Sequence, residues 1–305
     1  MVSAAQVKEL RDRTGAGMMD CRKALEATSG DMDKAAEKLR MDGAAKADKK
    51  AGRTAAEGII AVAESADAVA LVELNSETDF VAKGADFQAL ANSAAKLALE
   101  HKPASAEALS QLKDGGKSVD EMRRELVAKV GENMTLRRVE VLPKSKGATA
   151  IYVHPGSKIV AVVTLDQGEL ELAKDLAMHV AASSPRYLHA GVVPQDALDA
   201  ERKIIEAQMA KEQEEARLDA EDAGKPFKPK PADILAKMAE GKLRKFTSEI
   251  TLHGQPFVKN PDQTVEALLK GKGASVGRFI RLQVGEGIEK KEADFAAEVA
   301  AAARG

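Results

Sequence analysis

The sequence predicts an α+β fold, because one order of strands and helix occurs twice along the chain. Two apolar stretches joined by a short turn precede a helix in residues 58–99, and the same order returns in residues 148–182. Each half then ends in a further strand of alternating apolar and polar residues, at 136–142 and at 278–284. We therefore expect two similar subdomains, each with a three-stranded antiparallel sheet that helices cover, since so small a sheet is not stable alone.

Composition limits the class of protein. Of the 305 residues, 44% are hydrophobic, only 3% are aromatic and none is Trp, so the chain can bury a sizeable core of aliphatic side chains. The net charge of −2 argues against a strong nucleic-acid binder, and the single cysteine, Cys21, excludes an internal disulfide and a cysteine-rich zinc site. No apolar run is long enough to span a bilayer, and Met1 leads into a helical pattern without a signal peptide. We expect a soluble, cytoplasmic protein.

Three short helices are predicted at the N-terminus, in a head that ends near Asp42. Apolar residues recur there at helical spacing, and glycine-containing turns interrupt them twice. This bundle resembles the ubiquitin-associated domain, whose first turn is an exposed binding surface. Met18 and Met19 are adjacent, so at least one should be exposed on a helix and available to a partner. The alternative is that both lie in a frayed turn and have no function.

A basic stretch follows the head. Residues 43–56 lose apolar periodicity and carry an excess of Lys and Arg, which predicts a flexible or partly helical linker. Since a linker would separate two cores, we expect removal of residues 1–50 to leave the rest of the chain folded. A basic run this short is usually a solvated tether, so we do not interpret it as a nucleic-acid site.

The most informative stretch is the corner between the second strand and the following helix. Within Glu73–Gly84, polar and apolar side chains alternate at Thr78, Asp79, Phe80 and Val81. One interpretation is structural, with Thr78 or Asp79 as a helix cap and Phe80 as a hydrophobic staple. The other is that a rigid corner projects a carboxylate and an aromatic ring toward a partner. The equivalent corner in the second half lacks the Asp-Phe pair, which favours a function for this one.

An insertion in the second half predicts a projecting helical hairpin. Residues 195–223 carry ten acidic and four basic side chains, whereas residues 225–249 carry seven basic and three acidic ones. A proline-rich bend separates the two stretches, and each has only a narrow apolar stripe. Two helices of opposite charge should pair as an antiparallel coiled coil, which is either an interaction arm or a flap on its own subdomain.

No active site of the chain's own is predicted. The sequence contains no Gly-rich phosphate loop, no arrangement of Ser, His and Asp typical of hydrolases, and no histidines at metal-ligand spacing. His179 is the most interesting of five scattered histidines, although packing against a helix is the simpler interpretation. We expect a protein that is not an enzyme and that needs no cofactor or metal.

Six motifs identify a family that the chain resembles. They are Leu10–Leu25, Thr78–Lys83, Val130–Arg138, Met178–Pro185, Gln255–Lys259 and Val284–Glu289. In this order they resemble bacterial elongation factor Ts, the nucleotide-exchange factor of elongation factor Tu, over nearly the whole chain. The family architecture agrees with the pattern-based segments. These are the head 1–42, linker 43–56, first core subdomain 57–143, second core subdomain 144–194 and 250–286, inserted hairpin 195–249, and a C-terminal helical module 287–305.

The resemblance also implies a function. The chain would bind elongation factor Tu, both GDP-bound and nucleotide-free, and promote the release of GDP so that GTP can replace it. Thr78–Val81 would dislocate the Mg²⁺ in Tu, Arg11, Met18 and Met19 of the head would contact its nucleotide-binding domain, and His179 is a further candidate contact. No direct nucleic-acid or membrane contact is implied, and a homodimer or a two-plus-two complex with Tu is the expected assembly if one forms. The alternatives are a passive adaptor without effect on nucleotide, and an enzyme with an unrecognised site.

Overall fold

The computed structural model describes residues 2–289 and confirms the α+β class. The chain forms two compact units. The first contains the residues up to Lys144, together with Val153–Val160 and the described residues from Leu282 onward. The second contains Ser145–Tyr152 and Ala161–Arg281.

Three helices begin the first unit, as the sequence pattern predicts: α1 (Ala4–Thr14), α2 (Met18–Ala27) and α3 (Met32–Lys50). Ser3 caps α1 in a capping box with Gln6, and Gly15 ends the helix with a left-handed φ of 67°. A small apolar core joins the three helices, formed by Val7, Leu10, Cys21, Ala24, Leu25 and Ala35.

A three-stranded sheet with helical cover completes the first unit. Its elements are β1 (Glu57–Glu64), β2 (Ala68–Ser76), α4 (Asp79–Ala82), α5 (Ala85–His101), α6 (Ala106–Gln111), β3 (Lys113–Asp114), β4 (Lys117–Ser118), α7 (Val119–Val130) and β5 (Met134–Pro143). The strand order is β1-β2-β5, with antiparallel pairing on both sides of β2. Every residue of β2 is buried, so this strand is the centre of the core.

The head is not joined by a separate linker, which corrects the boundary predicted near Asp42. Helix α3 continues to Lys50 and packs along α7. Gly43 and Ala47 are buried, and a Cβ placed on Gly43 would lie 3.2 Å from the Cβ of Ala128. Ala47 belongs to the same apolar core as the sheet. The apolar periodicity disappears here because two helices approach closely through small residues, and charged side chains occupy the outer face of α3. Removal of residues 1–50 is therefore no longer expected to leave the core intact.

A buried carboxylate lies in the middle of the sheet. Glu73 of β2 has no solvent exposure, and its carboxylate accepts hydrogen bonds from Arg138 Nε, from Arg137 Nη1 at 3.1 Å and from the Gly285 N–H at 2.9 Å. A β-bulge makes this possible, because β2 pairs Glu73 with Arg138 and Leu74 with Leu136, leaving Arg137 as the extra residue of β5. Burial alone would raise the pKa of Glu73, but the Gly285 N–H and the two guanidinium groups outweigh it and hold the pKa below its usual value.

The later part of the chain, most of which belongs to the second unit, repeats the arrangement of strands and helix. Its elements are β6 (Ala148–Val153), β7 (Ile159–Gln167), α8 (Leu170–Ser183), a 3₁₀ turn (Ala190–Val192), α9 (Gln195–Asp222), α10 (Ala232–Ile250), β8 (Pro256–Phe257), β9 (Asn260–Thr264), α11 (Val265–Lys272) and β10 (Ser275–Gln283). The strand order of its sheet is β10-β7-β6. Both three-stranded sheets predicted from the sequence are thus present.

The two helices of the predicted hairpin are α9 and α10. They contact each other, and Lys242 of α10 forms an ion pair with Glu212 of α9 at 2.9 Å. Only Ile205 and Met209 of α9, and no residue of α10, are fully buried. Such narrow burial is compatible with a coiled coil.

Two expectations concern the limits of the chain. The C-terminal helix predicted at residues 293–303, within the module 287–305, lies outside the described residues. Between residues 2 and 289, no helix has the length and apolar character required to cross a membrane.

The burial of α3 can be tested with a charge on either face of the helix. We expect Ala47→Glu to lower the free energy of unfolding by more than the ~1–3 kcal/mol typical of overpacking, because it also buries a charge. Ala45→Glu is the matched control, since Ala45 is exposed on the same helix. Urea unfolding at neutral pH measures both, and equal stability of the two variants would return residues 43–50 to the status of a linker.

The second prediction concerns Glu73. Its folded-state pKa is lowered, so its contribution to stability is present above the unfolded-state pKa and is lost as the pH falls through the folded-state pKa. Glu73→Gln leaves two partly buried guanidinium groups without their carboxylate, and we expect a loss of ~3–5 kcal/mol at pH 7. The loss should shrink in acid, as the wild-type carboxylate itself becomes protonated. Urea unfolding at pH 7 and at lower pH measures the loss for this variant and for the control Glu100→Gln, which changes an exposed carboxylate. The stability change of the control should not depend on pH in this way.

Candidate functional site: the corner between β2 and α5

The corner is one turn of helix, α4, between the central strand and α5. Thr78 is its N-cap, and the Thr78 hydroxyl accepts a hydrogen bond from the Val81 N–H at 3.4 Å. Gly84 then begins α5 without a side-chain cap. Thr78 therefore has the structural role that the capping interpretation predicts.

Phe80 does not have the structural role of a staple. Its side chain is 81% exposed, whereas Val81 beside it is half-buried and packs against the core of the first unit. Hydrophobic staples require burial of the ring. The turn therefore directs Val81 inward and Phe80 outward, which favours the interpretation of a projecting corner.

Asp79 and Lys83 form an ion pair on this corner. Lys83 Nζ lies 2.6 Å from Asp79 Oδ2 and 5.9 Å from the centroid of the Phe80 ring. The hydrogen bond from Lys83 holds the pKa of Asp79 below its usual value, although desolvation acts in the opposite direction. The carboxylate is thus ionised at neutral pH, beside an exposed aromatic ring.

A loop far away in the sequence holds the base of the corner. The Thr78 N–H and hydroxyl donate to the two carboxylate oxygens of Glu132 at 3.0 and 2.8 Å. The Asn133 N–H donates to Glu77 Oε1 at 2.6 Å. Sequence reasoning found residues 130–138 as a motif but gave Glu132 and Asn133 no role. The one sequence feature that could have indicated a role is their position, since an acidic residue and an amide residue directly follow Gly131, which ends α7.

The head presents the side chains that the sequence singled out. Met18 is 59% and Met19 is 64% exposed in the first turn of α2, and Arg11 is exposed on α1. The expected exposure of at least one methionine is therefore present, and contact of either with a partner stays a prediction. Met41 of α3, which the sequence reasoning did not select, is also exposed at 65%.

His179 is an interior residue, which corrects its prediction as a candidate partner contact. Its ring is fully buried, its Nε2 lies 3.0 Å from Gln255 Oε1, and its Nδ1 accepts the Val258 N–H at 3.2 Å. Since Nδ1 is an acceptor, Nε2 carries the proton and donates to Gln255. Burial lowers the pKa of His179, so the neutral ring is favoured. Helix α8 directs this side chain into the second unit, as the helix-packing interpretation predicts.

The chemistry of the corner suits insertion into another molecule more than catalysis. It offers an exposed ring and a carboxylate on a firmly held turn, without a base and nucleophile in contact. Among residues 2–289, no three or more His, Cys, Asp or Glu side chains are grouped so that they could hold a metal ion.

Comparison with known proteins is consistent along the whole chain. A family model described as Elongation factor TS matches residues 77–286, which include the corner residues Thr78–Val81, strand β5 and the whole second sheet. The protein named Elongation factor Ts from Thioalkalivibrio sulfidiphilus is 51% identical over 306 residues, covering 100% of this chain and 99% of the relative. Those of Hydrogenovibrio crunogenus and Alkalilimnicola ehrlichii are 52% and 50% identical, and each comparison covers at least 98% of both proteins. On these matches, the chain belongs to the elongation factor Ts family and is a translation elongation factor.

Proposed function

We propose that the chain is the guanine nucleotide exchange factor of elongation factor Tu. It binds the GDP-bound form of Tu, promotes release of GDP and leaves a nucleotide-free complex that GTP can enter. The observation that carries this proposal is the exposure of Phe80, 81%, on a turn that Thr78 and Glu132 hold in place. A large apolar ring held in water at the tip of an ordered turn, beside an ionised carboxylate, is well placed to enter a partner with defined geometry.

The proposed mechanism is a disturbance of the Mg²⁺ and phosphate site of Tu. A bound Mg²⁺ neutralises phosphate charge and is the largest local charge in such a site. Phe80 would enter a packed region beside this site and displace groups that keep the ion in place. Asp79 would bring a negative charge close to the same ion shell, while Thr78 and Val81 fix the direction of both side chains. Without its Mg²⁺, GDP is held less tightly and leaves.

The head supplies a second contact in this proposal. Arg11, Met18 and Met19 would bind the nucleotide-binding domain of Tu, since flexible thioethers adapt to a partner surface. Binding at two places provides free energy that offsets the distortion of the nucleotide site. By linkage, GDP must lower the affinity of this protein for Tu by the same ratio by which this protein lowers the affinity of Tu for GDP.

The remaining parts of the proposal follow from the same role. The chain acts in the cytoplasm on a protein partner, makes no direct contact with nucleic acid or membrane, and performs no covalent chemistry. Exchange therefore needs no active site or cofactor within the chain. A homodimer or a two-plus-two complex with Tu is the assembly that sedimentation of the mixture would test.

The central experiment follows release of fluorescent GDP from Tu at saturating factor. We expect wild-type factor to accelerate release, and we expect Phe80→Ala to slow the saturating rate more than Asp79→Ala, because only the ring does steric work. The melting temperature should stay near that of wild type for Phe80→Ala, since an exposed ring contributes little to the fold, whereas a buried one would cost ~3–5 kcal/mol.

The control is Leu218→Ala, which removes another exposed apolar side chain, on α9. Its saturating rate should equal that of wild type. Binding of Tu without accelerated GDP release would identify a passive adaptor instead. Normal saturating rates for both corner variants would refute the proposed wedge.

A further prediction separates the head from the corner. We expect Met18→Ala and Met19→Ala to weaken binding to Tu, while the release rate at saturating factor stays unchanged, because docking and displacement are different steps. Met41→Ala is the matched control, since Met41 is exposed to the same degree elsewhere in the head. Titration calorimetry and the release assay measure the two quantities. An equal loss of affinity for Met41→Ala would contradict a contact centred on α2.

A further inference from the structure

We propose that Glu132 is a positioning residue that holds the corner in the orientation that exchange requires. This inference rests on the proposed function, and it assigns a role to a residue outside the corner itself. Glu132 contacts neither Asp79 nor Phe80 in the contacts described above. It acts through Thr78, the residue that immediately precedes them.

The geometry of this contact is specific. Thr78 and Glu132 are 54 residues apart, yet both donors of Thr78, its N–H and its hydroxyl, are directed at the same carboxylate. Two hydrogen bonds from adjacent donors to one carboxylate fix both the position and the orientation of a residue. Within residues 2–289, the Glu132 carboxylate bonds to Thr78 and forms no ion pair with a cation.

The corner needs such a restraint because α4 is too short to be stable by itself. It contains four residues, Asp79–Ala82, and a single turn of helix is far below the length at which helices persist alone. Only Ala82 of this turn is fully buried. The cap therefore sets where the turn starts, and Glu132 sets where the cap lies.

Glu132 itself is held from the opposite side. Gly131 ends α7 with a left-handed φ of 91°, and its carbonyl accepts a hydrogen bond from Lys50 Nζ. The side-chain amide of Asn133 donates to the carbonyl oxygens of Ala51 and Arg53, at 3.4 and 2.7 Å. The loop thus connects the end of α3 to the corner. Because hydrogen bonds hold its neighbours Gly131 and Asn133 in place, the backbone of Glu132 has little freedom, and its carboxylate can fix the position of Thr78.

The test compares Glu132→Gln with Glu125→Gln. Glutamine keeps the length of the side chain but removes its charge, so the two contacts with Thr78 lose their charge-assisted strength, whichever way the amide is turned. Glu125 is on α7 and pairs with Lys117 at 2.7 Å, away from the corner. We expect Glu132→Gln to slow GDP release at saturating factor about tenfold, the effect of replacing the charged partner of two hydrogen bonds by a neutral amide, while the control keeps the wild-type rate.

A measurement on the free protein makes the result independent of the partner. Hydrogen exchange of the backbone amides should speed up in Glu132→Gln at Thr78 and at Val81–Gly84, while the amides of β2 keep their protection. If these amides lose protection but the saturating release rate stays at the wild-type value, the positioning role is refuted and the exchange function stands. If wild-type factor itself fails to accelerate release, the proposed function is refuted instead.

A double-mutant cycle tests whether Glu132 acts through Thr78. Thr78→Val removes the hydroxyl that donates a hydrogen bond to Glu132. If the two residues act together, the double variant Thr78→Val with Glu132→Gln should slow release by clearly less than the product of the two single effects. Independent, multiplicative effects would overturn the proposed connection.

Discussion

The ionised carboxylate of Glu73 at the centre of the first sheet is the interaction on which the rest of this unit depends. A charge without solvent contact is costly unless hydrogen bonds surround it, and here two guanidinium groups and a backbone N–H do so. Because Arg138 Nη2 also donates to the Gln283 carbonyl at 2.7 Å, the cluster ties β2, β5 and residues 283–285 to one point. An apolar residue at this position could fill the space but could not specify the bulged register of β5.

That central strand determines where the corner lies. β2 is buried along its whole length and ends at Ser76, whose hydroxyl donates to the Thr78 carbonyl at 2.8 Å. Five residues separate the fixed Glu73 from Asp79, so little freedom remains for the direction of the turn. The loop after α7 then secures the same turn from the other side. Rigid support from two directions is the condition under which exposed side chains can act with defined geometry.

Local patterns predicted the elements well and the tertiary contacts poorly. Both hairpins, the helices after them and the two arms of the insertion follow from periodicity and turn residues, and the exposure of Met18 and Met19 follows from adjacency on a helix. The extension of α3 could not be predicted, because a glycine and an alanine that bury against another helix resemble a linker in composition. Glu132 gave no signal either, since a contact across 54 residues has no periodicity. His179 shows a different difficulty. From the sequence alone, a polar residue within a motif is compatible both with a contact to a partner and with a hydrogen bond in the interior.

In the free chain, Lys83 contacts both exposed side chains of the corner, and this helps a stable protein to tolerate an exposed aromatic ring. Lys83 neutralises Asp79 and lies near the face of Phe80, so one side chain moderates both the charge and the apolar surface. An exposed pair of this kind contributes little to stability and is easily replaced by other contacts. Because the ordinary pKa of an aspartate lies far below neutral pH, the carboxylate remains ionised when the pair opens. The firm interactions lie at Thr78 and Glu132, below the tip, and the weak ones lie at the tip itself. This division lets the side chains that meet a partner exchange their contacts while the turn that carries them stays in place.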